Sequence, residues 1–131
     1  MLRELRLNNL AIIKKVDLEF NNGLIALTGE TGAGKSILLD GISLLIGERS
    51  SVDMIRTGAD NLFAEGVFSL TQDQIEKLTK LGFEIEDEEL IVARYLDKNL
   101  KSKITVNGMR ITVSKLKELM SIVLDLVGQH E

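Results

Sequence analysis

The sequence predicts an α/β fold, and three observations carry that expectation. Short runs of leucine, valine and isoleucine alternate with charged residues, the pattern of half-buried strands. Residues 37–46 carry leucine and isoleucine at spacings that suit a largely buried helix. Between a strand-like run and that helix lies a glycine-rich stretch, residues 29–36. Such a stretch lets the backbone turn sharply from a strand into a helix.

The elements follow in order. Leu5 and Leu7 alternate with charged neighbours over residues 2–7 and predict a first strand, which Asn8-Asn9 is expected to break. Val16, Leu18 and Phe20 alternate with Asp17 and Glu19, giving a second strand over 14–20. Asn21-Asn22-Gly23 is a strong turn signal, so 14–20 and 24–28 are expected to form a hairpin. Residues 24–28 are almost wholly apolar and read as a strand covered on both faces. The helix is expected to start near Lys35, with Leu38, Ile42 and Leu45 on one face and Leu39 and Ile46 beside it. Gly41 inside it costs about 1 kcal/mol relative to alanine. A helix tolerates that where something packs closely on its backbone. Gly47 is the expected C-terminal stop.

Residues 48–61 read as an exposed connection, and 64–70 as a strand with Val67 and Phe68 as core candidates. Thr71 is placed to cap the next helix, with Gln74 as its capping-box partner. Ile75, Leu78 and Leu81 line one face of that helix, and Gly82 ends it. Residues 84–89 form an acidic turn and 90–96 a strand. Strands 102–106 and 110–113 flank a turn at Asn107-Gly108-Met109. Ser114 is expected to cap a helix holding Leu116, Leu119 and Met120, and 122–127 reads as a buried strand. The chain closes on Gly128-Gln129-His130-Glu131 directly after that strand, which predicts a piece of a longer protein.

Composition narrows the function classes. A chain of 131 residues has room for one domain, or one lobe of a larger one. It has no cysteine and one histidine, which excludes a disulfide framework, cysteine-ligated metals and a multi-histidine metal site. No apolar run reaches the roughly 18 residues of a membrane helix. The start, Met1-Leu2-Arg3-Glu4, lacks the apolar region of a signal peptide, so the expected compartment is the cytoplasm, with no membrane partner. The net charge of −4 does not suit a nucleic-acid coat. A local basic strip (Lys98, Lys101, Lys103, Arg110, Lys115, Lys117) suits either a polyanion or ordinary solvated surface.

The sharpest chemical signal is Gly29-Glu30-Thr31-Gly32-Ala33-Gly34-Lys35-Ser36, which satisfies G-x-x-x-x-G-K-[ST] in full. A chance match in a chain of this length is on the order of 0.4% from residue frequencies. The motif identifies a P-loop NTPase and a nucleotide-phosphate site. Its glycines let successive N–H groups face a phosphate. The helix that follows adds its own unpaired N–H groups and positive end. Lys35 reaches the β and γ phosphates, and the Ser36 hydroxyl is a Mg²⁺ ligand. A lysine opening a helix is disfavoured by the dipole unless an anion is present, which a merely structural turn does not explain. Thr31 and Ala33 are spacers, and Glu30 is no evident catalytic base. Together with Ile37, residues 29–36 make the candidate nucleotide contact set.

Hydrolysis needs an acid at a strand end and a group that polarises water. Asp125 lies inside its apolar run and is poorly placed for that. Gln129, just beyond the run, is placed to touch Mg²⁺ or the attacking water, so Lys35 and Gln129 are the candidate catalytic residues. His130 is a weaker candidate for orienting a phosphate. Arg49 and Arg56 lie on the segment leaving the P-loop helix. Each either approaches the nucleotide or remains at the surface beside Glu48 and Asp53.

Beyond the P-loop, the chain resembles the RecN family of bacterial DNA repair proteins, in the SMC-like branch of the ABC ATPases. The resemblance rests on Leu5-Arg6-Leu7-Asn8-Asn9 with Ala11-Ile12-Ile13, on residues 27–40, on Leu45-Ile46-Gly47-Glu48-Arg49 and on residues 53–59, which include Arg56-Thr57-Gly58-Ala59. It also rests on Glu65-Gly66-Val67-Phe68, residues 102–108 and Gly128-Gln129-His130-Glu131. It implies that residues 1–131 are the N-terminal lobe of an ABC/SMC-like ATPase head. Such a lobe has a mixed β-sheet and antiparallel strands around the P-loop helix. Gln129 then resembles the glutamine that contacts Mg²⁺ and couples the ATP site to the rest of the head. Asn9-Leu10-Ala11 and Lys14 become candidates near adenine. The resemblance further implies ATP and Mg²⁺ as cofactors, DNA as a partner, and a homodimer of heads sandwiching ATP. It implies ATP hydrolysis coupled to DNA end-bridging in double-strand-break repair, in a nucleoid-associated cytoplasmic protein. A signature motif, a clear Walker B acid and a coiled coil do not occur in these residues. A RecF-like or other SMC-like ATPase remains open, as does an ABC transporter subunit. The transporter is disfavoured because the lone tyrosine, Tyr95, lies far after the P-loop. No N-K-x-D string supports a GTPase.

Overall fold

The computed structural model describes residues 1–20, 32–99 and 101–124, with the side chains of 32–35 outside that description. Two strands, β1 (Leu2–Leu10) and β2 (Ile13–Glu19), come first, followed by helix α1 (Gly32–Ile46). Then come β3 (Asn61–Ser69), α2 (Gln72–Lys80), β4 (Glu89–Asp97), β5 (Ser102–Val106), β6 (Met109–Ile111) and α3 (Val113–Val123). The described strands form one sheet in the order β2-β1-β3-β4-β5-β6, with every pairing antiparallel.

Alternation decides which side chains face the helices, because successive residues of a strand point to opposite faces. Leu5 and Leu7 of β1, Leu62, Ala64 and Phe68 of β3, and Leu90, Val92 and Leu96 of β4 are all buried in one core. Leu44 and Leu45 of α1, Leu78 of α2, and Leu116, Leu119, Met120 and Val123 of α3 join them. Val67 is also buried, but on the opposite face of β3 from Phe68. That opposite face carries Arg6 hydrogen-bonded to Glu65 at 2.7 Å, and Phe63 stacked at a tilt on Tyr95 with centroids 4.7 Å apart.

Several expectations need correction. Asn8-Asn9 does not end β1, which continues to Leu10. The chain reverses after Leu10, with Asn9 and Ala11 at φ 59° and 54°, and β2 pairs back onto β1. The expected 24–28 strand and its hairpin lie outside the described residues. Residues 48–61 are not a free connection. Val52–Met54 form a 3₁₀ turn, Ala11 N–H donates to the Met54 carbonyl (2.7 Å), and Arg56 N–H donates to the Asn9 carbonyl (2.8 Å). The turn between β5 and β6 is the two residues Asn107-Gly108, and Met109 already belongs to β6. Thr112, not Ser114, caps α3, its hydroxyl accepting from Lys115 N–H at 3.1 Å.

The expected strand over 122–127 is overturned where it can be seen. Ile122 and Val123 belong to α3 and Leu124 caps its C-terminus. Leu116, Leu119, Met120 and Val123 fall on one helical face, and burying that stripe outweighs the β-propensity of isoleucine and valine. Asp125, Gln129 and His130 lie outside the described residues. No described helix is long and apolar enough to cross a membrane.

Candidate nucleotide site

The candidate site is built on α1. Its backbone is helical from Gly32 rather than from near Lys35, so the second half of the glycine-rich motif forms the helix's first turn. Glycine opposes helix entropically without forbidding it, and burial of the rest of α1 carries the cost. Gly29, Glu30 and Thr31 lie outside the described residues. Ser36, the fifth residue of the helix, is exposed, and Ile37 packs against the core.

Two glycines set how closely α1 lies on the sheet. A Cβ placed on Gly41 would come within 2.6 Å of Leu7 Cδ2, so Leu7 of β1 presses directly on the helix backbone. A Cβ on Gly66 of β3 would come within 2.7 Å of Leu45 Cδ1, so Leu45 of α1 fills the space that Gly66 leaves. Leu7 and Leu45 are fully buried. The expectation that something packs on the backbone at Gly41 is therefore met by Leu7.

The other end of α1 closes in a Schellman turn. Glu48 N–H donates to the Ser43 carbonyl (3.0 Å) and Gly47 N–H to the Leu44 carbonyl (3.3 Å). Gly47 takes φ 107°, the left-handed region that glycine enters without a Cβ clash. Arg94, from the core face of β4, is buried beneath this turn and only 3% exposed. Its Nη1 donates to the Leu44 carbonyl at 2.9 Å and the Glu48 carbonyl at 2.6 Å, and Nη2 reaches Ser50 Oγ at 3.5 Å. Burial pushes the Arg94 pKa below its ordinary value.

The electrostatics of α1 are one-sided. Its first turn carries no acid and its last turn no base. The partial negative charge at its C-terminus is met by Arg94 from another strand. The partial positive charge at its N-terminus meets no acidic side chain of its own helix, which leaves that end suited to an anion.

The sequence matches the AAA domain family over residues 4–128. It is 40% identical over 133 residues to the DNA repair protein RecN of Bacillus subtilis (strain 168), covering 100% of this chain and 23% of that protein. It is 37% identical to the DNA repair protein RecN of Vibrio cholerae, covering 99% of this chain and 24% of the relative. The chain belongs to the RecN/SMC-like family of AAA-domain ATPases. It corresponds to the N-terminal region of the ATPase head. It spans about a quarter of the length of these curated relatives, at 23% and 24%.

Solved structures agree on the fold. A structure described under ATP-driven dimerization and DNA-stimulated activation of SMC ATPases superposes with a TM-score of 0.75 at 23% identity, covering 94% of this chain and 79% of that one. The recombination mediator RecF with a bound ATP analogue superposes with a TM-score of 0.62 at 22% identity, covering 88% of this chain and 29% of that one. The mixed α/β architecture expected for an SMC/ABC-type head is thus the observed one.

Within this RecN/SMC-like head, Arg49 is exposed just past the end of α1. Arg56 is half-buried, and its backbone is pinned to Asn9. The fold therefore brings Arg56 beside Asn9 and Ala11, two of the positions expected near adenine, while Leu10 is buried in the core and Lys14 is exposed on β2. Among the described residues, neither arginine forms an ion pair with Glu48 or Asp53. In the basic strip, Lys98 pairs with Asp60 at 3.0 Å and Lys115 with Glu118 at 3.4 Å, both solvent-exposed. Arg94 was not among the expected site residues. The period-2 row Leu90, Val92, Arg94, Leu96 was the available signal, since it puts the arginine on the strand's buried face.

Proposed function

We propose that this head lobe binds ATP with Mg²⁺ through residues 29–36. The observation that carries the reading is a complete Gly-x-x-x-x-Gly-Lys-Ser run whose second half opens a helix wedged against the sheet. Gly29, Gly32 and Gly34 let the backbone approach the phosphates, with Glu30, Thr31 and Ala33 as spacers between them. Lys35 holds the β and γ phosphates as a point charge. Ser36, exposed near the start of that helix, offers its hydroxyl to the metal. The cation, when bound, neutralises charge on the phosphates. Gln129 senses the metal or the attacking water, and Arg49 and Arg56 approach the nucleotide from the segment after α1.

In the complete protein, two such heads sandwich two ATP molecules. Hydrolysis is coupled to DNA binding and end-bridging in recombinational repair of double-strand breaks, in the cytoplasm at the nucleoid. This wider reading is supported by similarity to RecN proteins along the whole chain and by fold likeness to an SMC ATPase structure described for ATP-driven dimerization and DNA-stimulated activation. The test is calorimetric titration of wild type and Lys35→Ala with ATP and Mg²⁺. Removing a charge-assisted contact to phosphate is expected to weaken binding about 10- to 100-fold. Equal affinity in the two proteins refutes the phosphate role of Lys35.

A further inference from the structure

We infer that Arg94, at the opposite end of α1 from the phosphate loop, is a positioning residue for nucleotide binding. It fixes the helix along its own axis and thereby places the loop. The inference rests on the ATP reading above.

The seat of α1 has two kinds of contact. Leu7 against Gly41 and Leu45 against Gly66 set its height above the sheet. Such apolar contacts are non-directional and resist sliding along the helix axis weakly. The Arg94 contacts are directional. One guanidinium nitrogen is shared by the carbonyls of Leu44 and Glu48, on either side of Gly47. The arginine therefore ties the last turn of the helix and the chain leaving it to β4, in the middle of the sheet. An α-helix is stiff, so its first turn follows its last. Phosphate binding by backbone N–H groups depends on hydrogen-bond geometry that a shift of about 1 Å disrupts.

The choice of residue points the same way. Arg94 is the one buried charged side chain among the described residues. Its Nε has no hydrogen-bond partner there. A buried charge with an unused donor is a poor device for stability, and an apolar side chain of similar volume often serves the core as well or better. What an apolar side chain cannot supply is a fixed positive fork at a helix end that has no base of its own.

The test uses the full-length protein as wild type, Arg94→Lys and Arg94→Met. Melting temperature is measured without nucleotide, and affinity for Mg²⁺ with a slowly hydrolysed ATP analogue by calorimetry. The methionine variant is expected to melt no lower than the lysine variant. Affinity is expected to run the other way, with wild type strongest, lysine intermediate and methionine about tenfold weaker than wild type. Wild-type affinity in folded Arg94→Met, or affinities that follow the melting temperatures instead of the charge, overturns the inference. If Arg94→Met does not fold, Arg94→Lys decides: a loss of about threefold or more supports the inference, since lysine has no second nitrogen to reach Ser50 while the first holds both carbonyls and no planar group to fix its direction, and unchanged affinity overturns it. A wild type that fails to bind, or binds equally after Lys35→Ala, is a failure of the ATP reading. Lys35-dependent binding indifferent to Arg94 is a failure of this inference alone.

Discussion

Gly41→Ala isolates the contact that sets the height of α1. On an unobstructed helix the change stabilises by about 1 kcal/mol, because alanine is the better helix former. Here the new methyl would sit 2.6 Å from Leu7 Cδ2 and 2.9 Å from Cδ1. Leu7 is fully buried, so it cannot swing into solvent. Forcing an extra methyl into a packed core costs about 1–3 kcal/mol. The net expectation is a loss of about 1 kcal/mol, read from the urea unfolding midpoint by circular dichroism. Leu7→Ala supplies the control. By itself it is expected to cost about 3 kcal/mol through lost burial and the cavity left behind. In that background Gly41→Ala meets open space and is expected to stabilise by about 1 kcal/mol. The sign of the glycine substitution thus reverses with Leu7, a coupling of about 2 kcal/mol. A stabilising effect in both backgrounds refutes the reasoning, as does an equal loss in both.

Two further substitutions probe contacts that join distant parts of the chain. Gln74 completes the capping box at Thr71, and its Nε2 also donates to the carbonyls of Val123 (3.0 Å) and Ile122 (3.4 Å) at the end of α3. Gln74→Glu keeps the acceptor for Thr71 N–H but sets a carboxylate against those carbonyls. It is expected to destabilise by about 1–2 kcal/mol in denaturant unfolding, whereas a role in capping alone predicts no loss. Asn107 takes φ 50°, accepts from Ile91 N–H (2.8 Å) and donates to the Glu84 carbonyl (3.0 Å). Asn107→Ala is expected to cost about 2 kcal/mol, and Asn107→Gly less, because glycine relieves the backbone strain but not the lost bonds. Equal melting temperatures for those two variants would argue against the strain component.

Features whose cause lies within a few residues were legible in the sequence. The Thr71–Gln74 box, the Asn107-Gly108 turn and the glycine that ends α1 each depend on local backbone geometry. The glycine-rich motif is equally local, which is why the candidate phosphate loop needed no structure to find. Where two local signals competed, the wrong one was the easier to read. Thr112 and Ser114 both offer a capping hydroxyl, and the direction of the chain leaving β6 selects Thr112. Asn8-Asn9 looks like a break, yet pairing with β2 carries β1 through it to Leu10.

The sequence by itself determined the strand and helix alternation over most of the chain and the complete Gly-x-x-x-x-Gly-Lys-Ser motif, because periodicity and motif spacing are properties of the chain alone, while the family came from resemblance to RecN proteins. Tertiary structure alone decided which strands pair, that Leu7 meets Gly41, and that Arg56 lies beside Asn9. It also decided the end of α3, where core contacts of Leu119, Met120 and Val123 overrode β-propensity. Arg94 shows the division most clearly. Its inward phase can be read from the alternation of β4, but its partners lie some 46 and 50 residues away in sequence. Which carbonyls an arginine meets depends on how a helix is laid across a sheet, and no local pattern encodes that.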